Sequence, residues 1–302
     1  MGRGIVPEPY AFIDNEFKKA SEAKISILEP TVTKSDAVYD TLSVLNKTIF
    51  RFDDHLQRFK NSCADMEIII PQSDDEIKAI AIECVIRSGY ENAIFMLIGR
   101  RGPYLDLSKR DPRTCENGLV VVVVPHYNIF GEEKTKTGLH LSIVKNKRVP
   151  KEAIDARTKN FNWMDLNRGL LEAFKQGSDS AILCTPDGYL SEGPGFNIWI
   201  IKDGKLKTPK GNVLEGITRR SIFELADMMS LTAEECYLEP TDLETADEAF
   251  ACTTAAGITP VTHINNIPLG NGHPGLMTGQ FLTMYWQERK KGWHGTNLTR
   301  PA

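Results

Sequence analysis

Apolar and polar positions alternate or recur along the chain in ways that predict many short strands and a few helices. Tyr10-Ala-Phe-Ile13 is an apolar run ended by Asp14-Asn15, and Lys24-Ile-Ser-Ile-Leu28 alternates, so both predict short strands joined by polar turns. Ala37 to Leu45 predicts a longer strand, with Asn46-Lys47 as a hairpin turn and Thr48-Ile-Phe-Arg51 pairing back. From Asp53 the period becomes helical, with Leu56, Phe59, Cys63 and Met66 on one face. A second helix starts at Ser73, where Ser73 and Glu76 spell a capping box ahead of the stripe Ile77, Ile80, Cys84 and Val85. Ile94 to Ile98 and Leu119 to Val124 are unbroken apolar runs rich in β-branched residues, the pattern of buried strands.

Between those strands, Arg100 to Asn117 is charged and irregular, with Pro103 and Pro112, a natural place for substrate contacts or a partner subunit. His126 to Gly138 loses periodicity and gains charge, so residues 126–138 read as an interdomain linker. It separates a small N-terminal domain, 1–125, from a larger C-terminal one, 139–302. The second begins with the strand Leu139 to Val144, followed by a helix over Asp165 to Gly177 with Leu166, Leu170, Leu171 and Phe174 inward. Ala181 to Cys184, the turn Pro186-Asp187-Gly188, Phe196 to Ile201 and, across Asp203-Gly204, Lys205-Leu206 read as a β meander. A helix over Thr218 to Met229, a strand over Ala249 to Cys252 and a last helix over Leu276 to Lys290 complete the pattern. Many strands with few crossovers and segregated helices make the fold class α+β.

Composition narrows the function without choosing it. At 302 residues, 41% hydrophobic and 25% charged, the chain reads as a globular protein. A net charge of −4 leaves no electrostatic footprint for nucleic acid. The six cysteines lie far apart with no C-x-x-C pair, which argues against a zinc site or a thioredoxin-like motif and fits reduced cytosolic thiols, and no metal is expected. Glu8, Asp14 and Glu16 interrupt the first twenty residues, and Leu119 to Val124 is too short to span a membrane, so a cytoplasmic protein is expected.

The candidate chemistry centres on Ser191-Glu192-Gly193-Pro194-Gly195-Phe196-Asn197-Ile198, a carboxylate and two glycines at the mouth of an apolar strand. Glycine permits close backbone approach to a ligand, and a carboxylate there suits a ligand atom that must keep its proton. Downstream, Gly216-Ile217-Thr218 opens a helix whose free amides and dipole favour an anion, with the Thr218 hydroxyl able to add to them. Thr253-Thr254 follows an apolar strand and offers a second turn of hydroxyls and amides. Upstream, Lys159 stands among aromatic residues in Lys159-Asn-Phe-Asn-Trp163. Partial desolvation there lowers an amine's pKa, as a nucleophilic lysine requires.

These segments together resemble the fold-type IV, pyridoxal-phosphate-dependent class IV aminotransferases, and the resemblance runs from about Tyr10 to the last helix. It implies a small α/β N-terminal domain and a larger C-terminal pseudo-barrel domain with the cofactor between them, in a homodimer whose subunits complete each other's sites. It makes Lys159 the Schiff-base lysine and Glu192, 33 residues later, the acid that keeps the ring nitrogen protonated. Thr218, Gly216, Ile217, Thr253 and Thr254 become the phosphate cradle, joined by Arg58 from His55-Leu-Gln-Arg58, and Leu214 the aliphatic residue on the cofactor ring. Asp54 and Arg58 also read as an ordinary i,i+4 surface pair. Branched-chain aminotransferases carry arginines where this chain has Ser43 and Met96. Phe50-Arg-Phe-Asp-Asp-His-Leu-Gln-Arg58 and Glu192-Gly-Pro-Gly-Phe-Asn-Ile198 are closer to the D-amino acid and (R)-amine transaminase branches. The expectation is a transaminase moving an amino group from D-amino acids or (R)-primary amines to 2-oxo acids. Tyr39 would line its pocket, and Lys34, Arg100 or Arg101 would meet a substrate carboxylate. The alternatives are a branched-chain L-amino acid aminotransferase and, further off, the related aminodeoxychorismate lyase.

Overall fold

The computed structural model describes residues 6–299, which divide into two compact units. One comprises the described chain up to Tyr127 together with Thr158–Asn162 and the chain from Gly292; the other comprises Asn128–Arg157 and Trp163–Lys291. Among the described residues the architecture is an antiparallel sheet in the first unit and a mixed sheet in the second, with flanking helices, an α+β fold.

In the first unit seven strands run in the order Gly295–Asn297, Thr48–Phe50, Ala37–Leu45, Ala93–Arg100, Gly118–Pro125, Tyr10–Ile13, Glu16–Lys19. Ala93–Arg100 is paired along both edges and buried or half-buried on both faces, and the second of these is why apolar residues run through it without alternation. The helices Phe52–Asp65 and Asp74–Ser88 bury Leu56, Phe59, Ile77 and Val85 in one cluster with Phe95, Leu97 and Val121. Each fully buried side chain of that size contributes about 1.5–3 kcal/mol. Both halves of the Ser73–Glu76 capping box are present. The expected strand over Lys24 to Leu28 is absent, and Ile27 and Leu28 lie exposed. Glu16–Lys19 takes its place beside Tyr10–Ile13, because Asp14 and Asn15 both adopt positive φ (52° and 58°) and close a tight hairpin.

The second unit's main path runs Ala233–Cys236, Lys205–Pro209, Asn197–Lys202, Glu248–Thr253, Gly257–Ile264, Leu139–Lys147, Ser180–Cys184, with Ile267–Pro268 hairpinned onto Gly257–Ile264. Two sequence expectations fail here. The meander is confined to Asn197–Lys202 and Lys205–Pro209. Ser180–Cys184 instead lies parallel to Leu139–Lys147, a pairing that needs a crossover and receives one from the helix Met164–Lys175. That helix buries Leu166, Gly169 and Ala173, while Leu171 and Phe174 face out. Its inward face is made of small residues: a Cβ on Gly169 would stand 2.8 Å from Leu183 Cδ1. Counting apolar bulk along the helix therefore places Leu166 correctly but misplaces Leu171 and Phe174.

The expected domain limits shift as well. From Asn128 the supposed linker groups with the second unit, where the Phe130 ring meets that of Phe196 edge-on at 5.2 Å and Lys134 pairs with Asp179 at 2.7 Å. Thr158–Asn162 groups with the first unit, because Asn160 bridges to Val38 and the Tyr39 amide donates to the Lys159 carbonyl at 2.9 Å. Gly295–Asn297 completes the first sheet by pairing with Thr48–Phe50.

Candidate active site

The residues expected to carry chemistry fall into both units, and each unit holds an organised group. In the first, a polar stripe of the helix Phe52–Asp65 is built from His55, Arg58, Ser62 and Asp65, which recur at helical spacing beside the apolar stripe of Leu56, Phe59 and Cys63. Ser62 Oγ accepts from the Lys159 backbone amide at 3.0 Å, and Thr158 Oγ1 donates to Asp65. The lysine segment is thus pinned at two consecutive residues, independently of the lysine side chain. Lys159 Nζ stands 4.5 Å from the centre of the Tyr39 ring, and Tyr39 in turn packs on Phe161 with ring centres 4.5 Å apart. An amine against an aromatic face and only half exposed is partly desolvated, the environment expected for a nucleophilic lysine.

Arg58 has a buried partner outside its own helix. Its Nε donates to Asp40 Oδ2 at 2.8 Å and its Nη2 to Asp40 Oδ1 at 2.9 Å, while Asp54 accepts from Arg51 at 2.7 Å. Asp40 is fully buried in the strand Ala37–Leu45 and also receives His55 Nδ1 at 2.7 Å and the Thr41 amide at 2.8 Å. Burial pushes its carboxyl up, but the charges of Arg58 and then His55 more than offset this and hold it well below the usual carboxylate range. Burial likewise pushes His55 below its ordinary 6.5, against the opposing pull of Asp40. Both groups bind fewer protons folded than unfolded, so both contribute stability that is present at neutral pH and lost on acidification. The His55 contribution fades first, below 6.5, and that of Asp40 below 3.8. Denaturant midpoints are therefore expected to fall between about pH 7 and 5. His55→Gln should flatten that limb, and an unchanged slope in the variant would remove His55 as its source.

The remaining candidates of this unit are spent or remote. Arg100 is buried and pairs with Glu29 at 2.7 Å and with Asp14. Arg101 forks onto Asp36 at 3.0 and 3.1 Å and donates to the carbonyls of Glu67 and Met66. Lys34 is exposed, its Nζ 5.9 Å from the centre of the Tyr104 ring. Ser43 is buried in the strand and pairs with Ile94, and Met96 pairs with Thr41.

In the second unit, Glu192 is buried, with Oε1 accepting from Arg148 Nη2 at 3.1 Å and Oε2 from the Leu214 amide at 3.2 Å. Arg148 is itself anchored by Asp165 at 2.6 Å. Gly195 holds φ at +86°, turning the chain from the carboxylate into the strand Asn197–Lys202. Asn197 Nδ2 donates to the Leu214 carbonyl at 2.9 Å, so the Glu192 turn and the Leu214 loop are tied together. Gly216 follows, where a Cβ would stand only 2.0 Å from Asn197 Oδ1. It is the N-cap of the helix Ile217–Met228, and no side chain caps it, so the first-turn amides of Ile217 and Thr218 remain suited to an external anion. Thr218 is buried in that turn. Cys252 lies opposite Asn197 in the sheet, which brings Thr253 and Thr254 to the sheet end that carries Asn197. A rigid carboxylate, an anion-ready helix start and a hydroxyl turn are the chemistry that pyridoxal phosphate requires of this unit, as an amine and a fixed guanidinium are of the first.

Sequence reasoning missed Asp40, His55, Ser62, Asp65 and Arg148. Asp40 carried a signal, being a charge inside an otherwise apolar strand pattern. The polar stripe of the helix carried another.

The amino-transferase class IV family model matches residues 37–264. A putative branched-chain-amino-acid aminotransferase of Methanocaldococcus jannaschii is 28% identical over 283 residues, covering 93% of this chain and 96% of the relative. The branched-chain-amino-acid aminotransferase of Escherichia coli K12 is 25% identical over 300 residues, covering 94% and 96%. Among solved structures, the T.th. branched-chain amino acid aminotransferase with pyridoxamine 5′-phosphate matches at TM-score 0.88 and 26% identity, covering 98% of this chain and all of that one. The Escherichia coli enzyme matches at TM-score 0.90 and 25% identity, covering 96% and 99%. A family model spanning most of the chain, over a fold shared from end to end with those enzymes, has one consequence: the chain belongs to the class IV amino-transferases.

Proposed function

We propose that the protein is a pyridoxal-phosphate-dependent transaminase that moves an amino group from an apolar small-molecule donor to a 2-oxo acid, working as a homodimer. The buried Glu192 carboxylate, fixed by Arg148 and the Leu214 amide, carries this reading. When bound, the cofactor supplies a carbonyl that takes up the donor's amino group and a ring that draws electrons from the donor's Cα. Lys159 Nζ holds the cofactor covalently between turnovers and moves the proton from the donor's Cα as general base and acid. Glu192 keeps the ring nitrogen protonated. Arg58, Thr218 with the amides of Ile217 and Thr218, and the Thr253–Thr254 turn bind the phosphate, and Leu214 packs on the ring.

Two donor classes are supported by different observations. The names of the relatives favour branched-chain L-amino acids. A second reading, D-amino acids or (R)-primary amines, draws on the chain's own cations. Ser43 and Met96 resemble the places at which branched-chain enzymes carry arginines, and Arg100 and Arg101 are committed to Glu29, Asp14 and Asp36. A donor without a carboxylate needs no arginine, and Lys34 remains to meet one that has it.

Half-reactions of the cofactor-loaded protein separate the classes, read as loss of its visible absorption on adding L-leucine, D-alanine or (R)-1-phenylethylamine separately. The branched-chain reading expects a fast response to L-leucine. The second expects a response to D-alanine or the (R)-amine, with L-leucine at least about tenfold slower, a difference of about 1.4 kcal/mol in transition-state binding. No response to any amine would overturn the transaminase reading itself.

A further inference from the structure

The structure assigns to Asp40 the role of a positioning residue that aims Arg58 at the cofactor phosphate, an inference that rests on the phosphate-binding reading of Arg58. A guanidinium can meet a phosphate in many poses, and a free arginine must lose rotamer freedom to adopt one. Here that freedom is already gone. Two adjacent edges of the Arg58 fork, Nε and Nη2, are held by the two oxygens of one carboxylate at 2.8 and 2.9 Å. The carboxylate cannot turn to follow a moving arginine. Its Oδ1 also receives the Thr41 amide at 2.8 Å and His55 Nδ1 at 2.7 Å, and the side chain is fully buried in a strand that pairs there with Leu97. His55 and Arg58 share one helix, at positions 55 and 58, so a single carboxylate fixes the rotation of the helix face that also pins the Lys159 amide through Ser62.

An unpaired acid in the middle of a sheet is costly, and Arg58 compensates it. The pairing therefore works in both directions. Arg58 makes a buried Asp40 tolerable, and Asp40 pre-organises the guanidinium so that a bound phosphate meets a fixed donor.

The test compares binding of pyridoxal phosphate with binding of pyridoxal, which lacks the phosphate, to the wild-type chain and to Arg58→Ala, Asp40→Asn and the double variant. Equilibrium dialysis or protein fluorescence gives both constants without any turnover. In Arg58→Ala the preference for the phosphorylated form is expected to fall about tenfold or more, the loss of a charge-assisted hydrogen bond. Asp40→Asn should lose a similar factor while leaving pyridoxal binding near the wild-type value, and the double variant should lose no more than Arg58→Ala alone. If Arg58→Ala loses the preference and Asp40→Asn keeps it, the positioning role is overturned and the phosphate-binding reading stands. If neither variant changes the preference, both fail together. If Asp40→Asn does not fold, Arg58→Lys decides, since it keeps the charge and loses the fork. A preference as low as in Arg58→Ala supports the aimed guanidinium, and a preference near wild type overturns it.

Discussion

Lys159→Ala is expected to lower the transamination rate by about 10³-fold or more, the span that a positioned nucleophile and proton carrier contributes. The fold should survive the change. The Lys159 backbone is held by Ser62 Oγ and by the Tyr39 amide, and the neighbouring Thr158 by Asp65, so none of these anchors uses the amine. What disappears is a half-exposed side chain whose Nζ lies against the Tyr39 ring, a change within about 1 kcal/mol of wild-type stability. The variant should still take up pyridoxal phosphate, because Arg58 and the helix start at Gly216 are untouched, but dialysis should strip it. Borohydride treatment should fix a phosphopyridoxyl group to the wild-type peptide bearing Lys159 and to no peptide of the variant. Lys159→Arg keeps the charge and should be as inactive as alanine, since a guanidinium neither carries the cofactor nor yields its proton. A variant rate within about tenfold of wild type would remove Lys159 from the chemistry.

How far such a site can be read from sequence depends on whether its parts are local. The helix Asp74–Ser88 was legible because its start signal and its apolar stripe lie within one stretch, and both are realised by Ser73, Glu76, Ile77 and Val85. The glycine turn after Glu192 and the Gly216 helix start were legible for the same reason: each packs its chemistry into a few consecutive residues. What escaped is what the chain assembles from a distance. Asp40 meets Arg58 across 18 residues, Arg148 meets Glu192 across 44, and Ser62 meets Lys159 across 97. No periodicity links such pairs, and although Asp40 stands out within its apolar strand, nothing local names the partner it will meet. Arg58 illustrates the risk. Its local partner by spacing is Asp54, but a buried carboxylate without a cation costs far more than an exposed one, so Asp40 takes the arginine. The helix Met164–Lys175 fails for a different reason. Close packing there is achieved by Gly169 and Ala173 beside Leu166, so a reading that equates inward with bulky places Leu166 correctly and Leu171 and Phe174 wrongly.

Glu192→Gln is expected to lower the rate by about 10²–10³-fold, the usual cost of removing one pre-organised charge from a reacting centre. In the wild type both carboxylate oxygens are acceptors, one for Arg148 Nη2 at 3.1 Å and one for the Leu214 amide at 3.2 Å. Glutamine offers one acceptor and one donor, so either Arg148 or the Leu214 amide faces an NH2 group whichever way the side chain turns. One lost bond of this kind costs about 1–3 kcal/mol of stability. The cost stays at that level because Arg148 keeps Asp165 at 2.6 Å and is not left as an uncompensated charge. The larger expected effect follows from the proposed role: the cofactor's ring nitrogen would lose the negative partner that keeps it protonated. Glu192→Asp restores the charge one methylene further back and should recover part of the rate without recovering the Leu214 contact. Pyridoxal phosphate binding should weaken far less than the rate, which separates a role in the reaction from a role in holding the cofactor. If Glu192→Gln lowers stability by the expected amount and leaves the rate unchanged, the carboxylate is a clamp for Arg148 and the Leu214 loop, and the proton on the ring nitrogen must be held by another group.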